Sequence, residues 1–377
     1  MPPQRTVDSV VDSAQRSFFL LEEDADAAMT YFYGQLFAMD AEIRAMFPPA
    51  MDPQRMRFFR ALTRIVAGRD DLAGLVPFLE QLGRTHRKYG VRDRHYDAFR
   101  QALLATLHRY AAPVWDARTQ DAWESAFDQA ARIMIDAAQR DAETSPAWWT
   151  ATVTGTERRG PDLAALTIDP GEPMCYRPGQ YVSVQTPQWP RCWRRYSIAN
   201  APRPDGLLRL HVRAVPGGLV SPLLVQQVRP GDPLLLGAPA GTMTVDTRSP
   251  RDVLCLAGGT GLAPIKAIIE AIIAAPPPGR RREIVLYYGA RRRPDLYDLA
   301  ALHEMELAYP WLKVIPATSD ERARDAVFGT VPELAARAKV TGREIYISGP
   351  DAMIARVAQV VMGHGAQARQ IRYDLSR

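Results

Sequence analysis

The segment LAGGTGLAP at residues 256–264 follows an uninterrupted apolar run at residues 253–257 and precedes a helical pattern that continues to about Ala274. Glycines permit a tight turn after a buried strand, and the N-terminus of the next helix offers free N–H groups and a positive dipole end to a pyrophosphate. Pro264 suits the first helical turn, where its missing N–H costs little. The segment predicts a dinucleotide-binding turn, although an ordinary α/β turn also contains glycine. The turn residues that we take as candidate contacts are Gly258, Gly259, Thr260 and Gly261.

Two later apolar runs, at residues 284–288 and 344–348, repeat this theme and also alternate with helical patterns. Uninterrupted apolar strands between helices are typical of a parallel sheet that is covered on both faces. We therefore expect an α/β domain with a parallel sheet at residues 250–377.

Residues 147–247 have a different pattern, in which short strands alternate with Pro- and Gly-rich turns. Regular spacing of such turns predicts a small antiparallel β-barrel. One strand ends in Arg195, Tyr196 and Ser197, which supply the cation, the aromatic ring and the hydroxyl that a flavin nucleotide needs. So short a match also occurs in plain barrel strands.

A glycine-rich stretch at residues 217–221, with the sequence GGLVS, strengthens the flavin interpretation. Gly218 allows the backbone to approach a phosphate closely, and Ser221 can donate a hydrogen bond to that phosphate at a helix start. We take both residues as candidate contacts.

Residues 1–143 show apolar positions three and four apart, which predicts an all-α domain. Prolines, among them Pro77, fall where we expect helices to break. Of the six histidines, only His86 continues an apolar helical face, and a neutral imidazole there could bind iron through one nitrogen. A satisfied core histidine is the alternative for a lone residue of this type.

Three other residues give His86 a context. Tyr33 lies on the apolar face of an earlier helix, Phe47 ends the next helix, and Gln54 begins a further apolar stripe. These four residues have the order and rough spacing of the haem-pocket residues of a globin. The first domain therefore resembles the globin domain of bacterial flavohaemoglobins. The resemblance implies that His86 is the proximal ligand of haem b, with Tyr33 and Gln54 as the distal pair. It also implies that Phe47 wedges the haem and that Tyr96 orients the proximal imidazole.

The two later domains resemble the FAD and NAD domains of the ferredoxin–NADP reductase superfamily, so that the resemblance covers essentially the whole chain. It implies that Arg195 and Ser221 meet the FAD pyrophosphate, while Tyr196 and Ser197 meet the flavin ring and its ribityl side. The fold class that follows is a helical globin, then an antiparallel FAD barrel, then a parallel-sheet NAD(P) domain.

The stretch SGPDAM at residues 348–353 is similar to the C-G-P-x-x-M motif that lies beside the nicotinamide in that superfamily. It adds Ser348, Gly349 and Pro350 to the candidate contacts. NADH is the expected electron donor, although the arginines at residues 291–293 could instead hold the 2′-phosphate of NADPH.

Three departures from the family pattern affect chemistry. Thr85 stands where the family usually has lysine, and Ser348 replaces the usual cysteine. The carboxylate that normally hydrogen-bonds the proximal imidazole should fall near Ala138, which cannot supply one. Its loss reduces the electron push of the proximal histidine, unless Asp136, Asp141 or water replaces it.

Composition excludes several other classes of protein. The net charge is +5, but the basic residues are spread among acids, so we expect no nucleic-acid binding. Three widely spaced cysteines favour neither a disulfide framework nor a zinc site, and they are too few for a Cys-ligated iron–sulfur cluster. No apolar run approaches the ~20 residues that span a bilayer. We expect a cytoplasmic protein without an obligatory protein partner.

The function expected from the resemblance is conversion of nitric oxide and oxygen to nitrate, with electrons passing from NAD(P)H through FAD to haem. One alternative is an NAD(P)H-dependent haem reductase or peroxidase that acts on other acceptors. Another is a haem gas sensor that its reductase keeps ferrous. An oxygenase reductase is disfavoured, because cluster-binding cysteines are lacking and a helical domain is present.

Overall fold

The computed structural model of the chain describes residues 5–68, 71–275 and 281–375. Contacts between residues divide the chain into two compact units, Met1–Trp148 and Trp149–Arg377. The domain limits predicted from the sequence (1–143, 147–247 and 250–377) stay predictions.

The first unit is helical, as predicted. Its described helices are α1 (Arg5–Glu23), α2 (Ala25–Met39), α3 (Ala41–Ala45), α4 (Asp52–Ala67), α5 (Leu72–His86), α6 (Asp93–Tyr110) and α7 (Ala117–Ala142). Phe32, Leu36 and Leu107 are completely buried in the main core of this unit. The indole nitrogen of Trp123 donates to the Ser17 hydroxyl at 2.9 Å, which joins α7 to α1 inside that core.

Helices α5 and α7 approach each other closely at Gly83, where an added Cβ would overlap the backbone of Met134. Leu75 and Leu79 pack with Met134 in a small core cluster between the two helices. The expectation that Pro77 marks a helix break is wrong, because this residue lies inside α5. A proline in the second turn removes one backbone hydrogen bond, and the apolar contacts of the same helix keep it intact.

The second unit begins with an antiparallel sheet. Its elements are β1 (Trp149–Arg158), β2 (Leu163–Asp169), β3 (Tyr181–Gln185), β4 (Arg194–Ser197), β5 (Leu208–Arg213), α8 (Ser221–Gln226) and β6 (Pro233–Leu236). The strand order is β4-β3-β6-β1-β2-β5. A bridge between Ile198 and Leu210 joins the two edges, so the sheet curls into a nearly closed barrel.

A parallel sheet follows the barrel. Its elements are β7 (Val253–Gly258), α9 (Leu262–Ala274), β8 (Ile284–Ala290), α10 (Leu299–Ala308), β9 (Leu312–Thr318), β10 (Val327–Phe328), α11 (Val331–Ala335), β11 (Glu344–Ser348), α12 (Asp351–Gly363) and β12 (Ile371–Arg372). The strand order β10-β9-β8-β7-β11-β12 places β8 and β11 on opposite sides of β7. Such a reversal of strand order opens a crevice at the carboxyl ends of the strands, where ligands bind. The predicted fold class is confirmed in all three parts.

Candidate functional site

Tyr33 and Gln54, predicted as the distal pair, come together in the first unit with Phe47, which is predicted to wedge the haem. The Gln54 side-chain amide donates to the Tyr33 hydroxyl oxygen at 3.4 Å. The Phe47 ring meets the Tyr33 ring edge-on, with the ring centroids 5.5 Å apart. Burial raises the pKa of Tyr33 well above its usual value, with Gln54 and Arg55 opposing. The phenol therefore stays protonated, and its own O–H is free to donate to a third group.

His86 lies in the last turn of α5, as predicted. Its Nδ1 is 2.6 Å from the carbonyl oxygen of Leu82, one turn earlier. A carbonyl oxygen can only accept, so Nδ1 carries the proton and Nε2 keeps its lone pair. Burial lowers the pKa of His86, and the hydrogen bond to Leu82 only partly opposes this effect. A neutral ring with an available Nε2 fits an iron ligand.

Tyr96, predicted to orient the His86 ring, packs beside the cluster of Leu75 and Leu79. Burial raises the pKa of Tyr96 to about 12. In the part of the chain that the structure describes, no hydrogen bond joins the Tyr96 hydroxyl to His86. The orienting role of Tyr96 stays a prediction, while the Leu82 carbonyl is a partner that the sequence analysis missed. The signal that could have revealed this partner is the position of Leu82, one helical turn before His86.

The two acids that could replace the missing proximal carboxylate do not contact His86 in the described structure. Asp141 forms an ion pair with Arg87, and the two side chains are only 15% and 13% exposed. Arg87 also donates to the Ser145 carbonyl at 2.7 Å. Asp136 is exposed on another face of α7. The His86 imidazole is therefore held by a neutral backbone carbonyl.

The predicted flavin contacts on β4 divide between two faces of the strand. Side chains of a strand alternate in direction, so Arg195 and Ser197 lie on one face and Tyr196 on the other. Arg194 shares the face of Tyr196 and was missed by the sequence analysis, although the two-residue period of a strand could have revealed it. Burial raises the pKa of Tyr196 well above its usual value, with the charge of Arg194 opposing.

The face of Arg195 is completed by β3. Tyr181 lies opposite Ser197 in the antiparallel register. The Arg195 guanidinium carbon is 5.1 Å from the Tyr181 ring centroid. This face therefore presents a cation, an aromatic ring and a hydroxyl together.

The glycine-rich stretch before α8 forms a tight turn. The Gly218 N–H donates to the Val215 carbonyl at 2.9 Å, and the Val215 N–H donates to the Ser221 hydroxyl at 3.0 Å. Ser221 is only 7% exposed. Its hydroxyl accepts in this turn and keeps its own proton to donate.

The two glycine motifs of the parallel sheet meet at the carboxyl ends of neighbouring strands. Ser348 lies opposite Ala257 in the parallel register of β11 and β7. An added Cβ on Gly261 would overlap the backbone at Ser348 and Gly349, and one on Gly258 would contact Met353 and Pro350. The predicted contacts of the two motifs therefore lie together at the switch in strand order. Gly259 has a φ of 56°, a left-handed conformation that glycine adopts without strain, and Thr260 lies beside it in the turn.

The helix start beside this turn also has the predicted form. Pro264 is buried in the first turn of α9. Beyond β8, Arg293 is held by Asp325, with its Nε 2.9 and 2.7 Å from the two carboxylate oxygens. This pairing leaves Arg291 and Arg292 as the exposed arginines of that turn.

Comparisons with known proteins agree with this arrangement. Family models match residues 30–134 as Globin, 152–245 as Oxidoreductase FAD-binding domain and 255–359 as Oxidoreductase NAD-binding domain. The flavohemoprotein of Bordetella parapertussis is 29% identical over 274 residues, 68% of each chain. That of Chromobacterium violaceum is 25% identical over 388 residues, 94% of each chain. A solved flavohemoglobin from Malassezia yamatoensis, with bound FAD and heme, is 17% identical with a TM-score of 0.81 and covers 98% of both chains.

A globin followed by an FAD-binding barrel and an NAD-binding parallel sheet defines an oxidoreductase that passes electrons from NAD(P)H through a flavin to a haem. The chain has the three domains of the flavohaemoglobin family in the same order, and haem, FAD and NAD(P) are the cofactors of these domains. In the described residues, no helix is long and apolar enough to cross a membrane.

Proposed function

We propose that this chain converts nitric oxide and oxygen to nitrate at the expense of NAD(P)H. The observation that carries the proposal is the pairing of Tyr33 with Gln54, because the amide donates to the phenol and leaves the phenolic proton free. A buried O–H donor suits a small ligand that gains partial negative charge. Oxygen and nitric oxide are the proposed ligands.

The bound cofactors supply hydride transfer from nicotinamide to flavin, single-electron transfer to iron and activation of oxygen. The chain positions these groups. His86 offers Nε2 to the iron while its Nδ1–H is fixed by Leu82. Tyr33 would donate its hydroxyl proton to a ligand bound on the distal side, and Gln54 fixes the orientation of that hydroxyl. Phe47 excludes water beside Tyr33.

The reductase residues have corresponding proposed roles. The turns at Gly218 and Gly261 permit close approach to the FAD and NAD(P) phosphates. Ser221 offers a hydroxyl to the FAD pyrophosphate, and either Arg194 or Arg195 supplies the cation. Both arginines enter the proposal, because Arg194 shares a strand face with Tyr196 whereas Arg195 shares the other face with Ser197.

The test is nitrate formation by the purified holoprotein supplied with NADH, nitric oxide and oxygen. We expect nitrate to form faster than with free FAD. Tyr33→Phe should slow it tenfold or more, because a lost hydrogen bond to a charged ligand costs about 1.5–3 kcal/mol. Tyr31→Phe is the matched control, since Tyr31 lies on the same helix but packs against Tyr110 instead. Equal rates in the two variants would contradict the distal role, and no nitrate from the parent protein would contradict the function.

One observation favours a second candidate, a haem reductase that acts on other acceptors. His86 is held by a backbone carbonyl, and Asp141 is engaged by Arg87. Weaker electron donation to the iron would slow oxygen chemistry but not reduction of the haem. NADH-dependent haem reduction without nitrate formation would favour this candidate. The expectations of a cytoplasmic location and of no nucleic-acid or obligatory protein partner stay predictions.

A further inference from the structure

A buried ion pair joins two segments that flank the predicted nucleotide crevice. Lys266 lies in α9 shortly after the glycine turn, and Asp298 lies directly before α10 on the chain that leaves β8. The Lys266 Nζ is 2.5 Å from Asp298 Oδ2, and the side chains are 11% and 2% exposed. Burying two charges is costly unless the pair is well formed. The pair therefore couples α9, the helix after the glycine turn, to the segment that precedes α10.

The Asp298 side chain contacts Lys266 and does not cap the helix that follows it. Asp298 is the N-cap residue of α10, a position where aspartate usually accepts a hydrogen bond from the first turn. Its carboxylate makes no such bond. Burial opposes ionisation of Asp298, but Lys266, His211 and Arg159 together outweigh it, so the pKa of Asp298 lies below its usual value. The carboxylate is thus a charged partner of Lys266 rather than a helix cap.

The barrel contributes to the same cluster. The Arg159 guanidinium is 3.8 Å from Asp298 Oδ1. On β5, His211 Nδ1 is 2.8 Å from the hydroxyl of Tyr297, the residue before Asp298. His211 is 7% exposed, and burial lowers its pKa, so the ring is neutral at neutral pH. We call Arg159, His211, Lys266, Tyr297 and Asp298 the inter-sheet cluster.

Arg213 extends the contact between the sheets through a further ion pair. Arg213, near the end of β5, is 2.7 Å from Asp162 of the barrel and 3.6 Å from Asp295 of the parallel-sheet region. The segment at residues 295–298 is therefore held by the barrel at both ends. Any shift of this segment relative to the barrel would break the buried His211–Tyr297 hydrogen bond and the two ion pairs to Asp295 and Asp298 at once.

We propose that the inter-sheet cluster sets the distance between the nicotinamide crevice and the flavin-binding barrel, with Asp298 and Tyr297 as positioning residues for flavin reduction. Transfer between two bound groups needs reacting atoms about 3–3.5 Å apart, and a misplacement of ~1 Å can cost 10²-fold in rate. The cluster touches both the segment after β8 and the helix that follows the pyrophosphate turn. It therefore fixes the crevice against the barrel.

The test measures flavin reduction by NADH in the full FAD-loaded chain under nitrogen. Asp298→Asn removes the charge that holds Lys266, and Tyr297→Phe removes only the hydroxyl that meets His211. In both variants we expect the limiting rate of flavin reduction to fall on the order of tenfold. The long-wavelength charge-transfer absorbance between nicotinamide and flavin should weaken as well, while the dissociation constant of NADH changes much less.

The matched control is Glu283→Gln, which breaks the Arg343–Glu283 ion pair at the amino ends of the same parallel strands. It should lower the melting temperature without changing the limiting rate or the charge-transfer absorbance. A limiting rate in Tyr297→Phe equal to that of Glu283→Gln would overturn the proposal, even if Asp298→Asn failed to fold. Because no nitric oxide is present, this result is independent of the nitrate test.

Discussion

Individual residues decide how closely two backbones can approach in this molecule. Gly83 lets α5 and α7 touch, and Gly261 does the same for two loops at the predicted nucleotide site. His86 follows Gly83 by about one turn of α5. The position of the proposed iron ligand thus depends on a residue that carries no chemistry.

Gly83→Ala should lower the free energy of unfolding by about 1–3 kcal/mol, because overpacking forces backbone shifts of this cost. The new Cβ would overlap the backbone of Met134, which cannot rotate away. We also expect weaker retention of haem, since α5 carries His86. Thermal unfolding of the full chain followed by circular dichroism, with the haem absorbance recorded in parallel, measures both effects.

Gly34→Ala is the control for this variant. Gly34 is an exposed position of α2, and an added Cβ would meet nothing within 4 Å. Alanine should stabilise the helix by about 0.5–1 kcal/mol, because it loses less conformational freedom on folding. Equal melting temperatures for the two variants would contradict the close packing of α5 and α7.

Among the elements, the C-terminal segment connects the two sheets of the second unit. Strand β12 pairs with β11 at the edge of the parallel sheet. Two residues later, the Asp374 carboxylate accepts from the Thr242 N–H at 2.9 Å, the Thr242 hydroxyl at 2.8 Å and the Met243 N–H at 3.1 Å. An added Cβ on Gly241 would meet both Asp374 and Tyr181, so this contact lies next to the predicted flavin strand.

Asp374→Ala should release the C-terminal segment from the barrel, because three hydrogen bonds to one carboxylate are lost together. We expect faster trimming by carboxypeptidase and weaker retention of FAD during gel filtration. The control is Asp205→Ala, since Asp205 is exposed and its contacts within the described chain are to nearby residues of its own turn. Unchanged trimming of Asp374→Ala would show that the carboxylate does not hold the segment.

On the scale of the whole molecule, the two units have separate cores. The helical unit buries its own cluster around Phe32. The second unit has a barrel core and a sheet core, and the sheet core extends to barrel-side residues such as Ala201 and Met243. Damage to the haem site should therefore leave the reductase unit folded and active.

His86→Ala should abolish haem retention, because it removes the proposed axial nitrogen, while flavin reduction by NADH continues. The absorption spectrum of the purified protein, before and after NADH under nitrogen, reads out both cofactors. In the parent protein we expect a Soret band that shifts as electrons reach the haem. His108→Ala is the control, since His108 is an exposed histidine of α6 that packs on Trp115. A Soret band retained in His86→Ala would rule out His86 as the anchor.

Several features were already determined by the sequence. The apolar run and glycine turn before Pro264 specify a buried strand followed by a helix, since few other backbones tolerate that order of residues. Proline-rich turns at regular spacing specify the barrel. The apolar positions three and four residues apart that lead up to His86 specify a helix. These signals are local, because each depends on neighbours within a turn or a strand.

Other features were decided only by the tertiary structure. Local periodicity could not show that Asp141 pairs with Arg87, that Arg194 shares the face of Tyr196, or that Pro77 stays inside α5. Nor could it reveal that Lys266, Asp298 and His211 meet between two sheets. Partners distant in sequence are chosen by packing, because the burial of a charge is tolerable only where the folded chain supplies an opposite one.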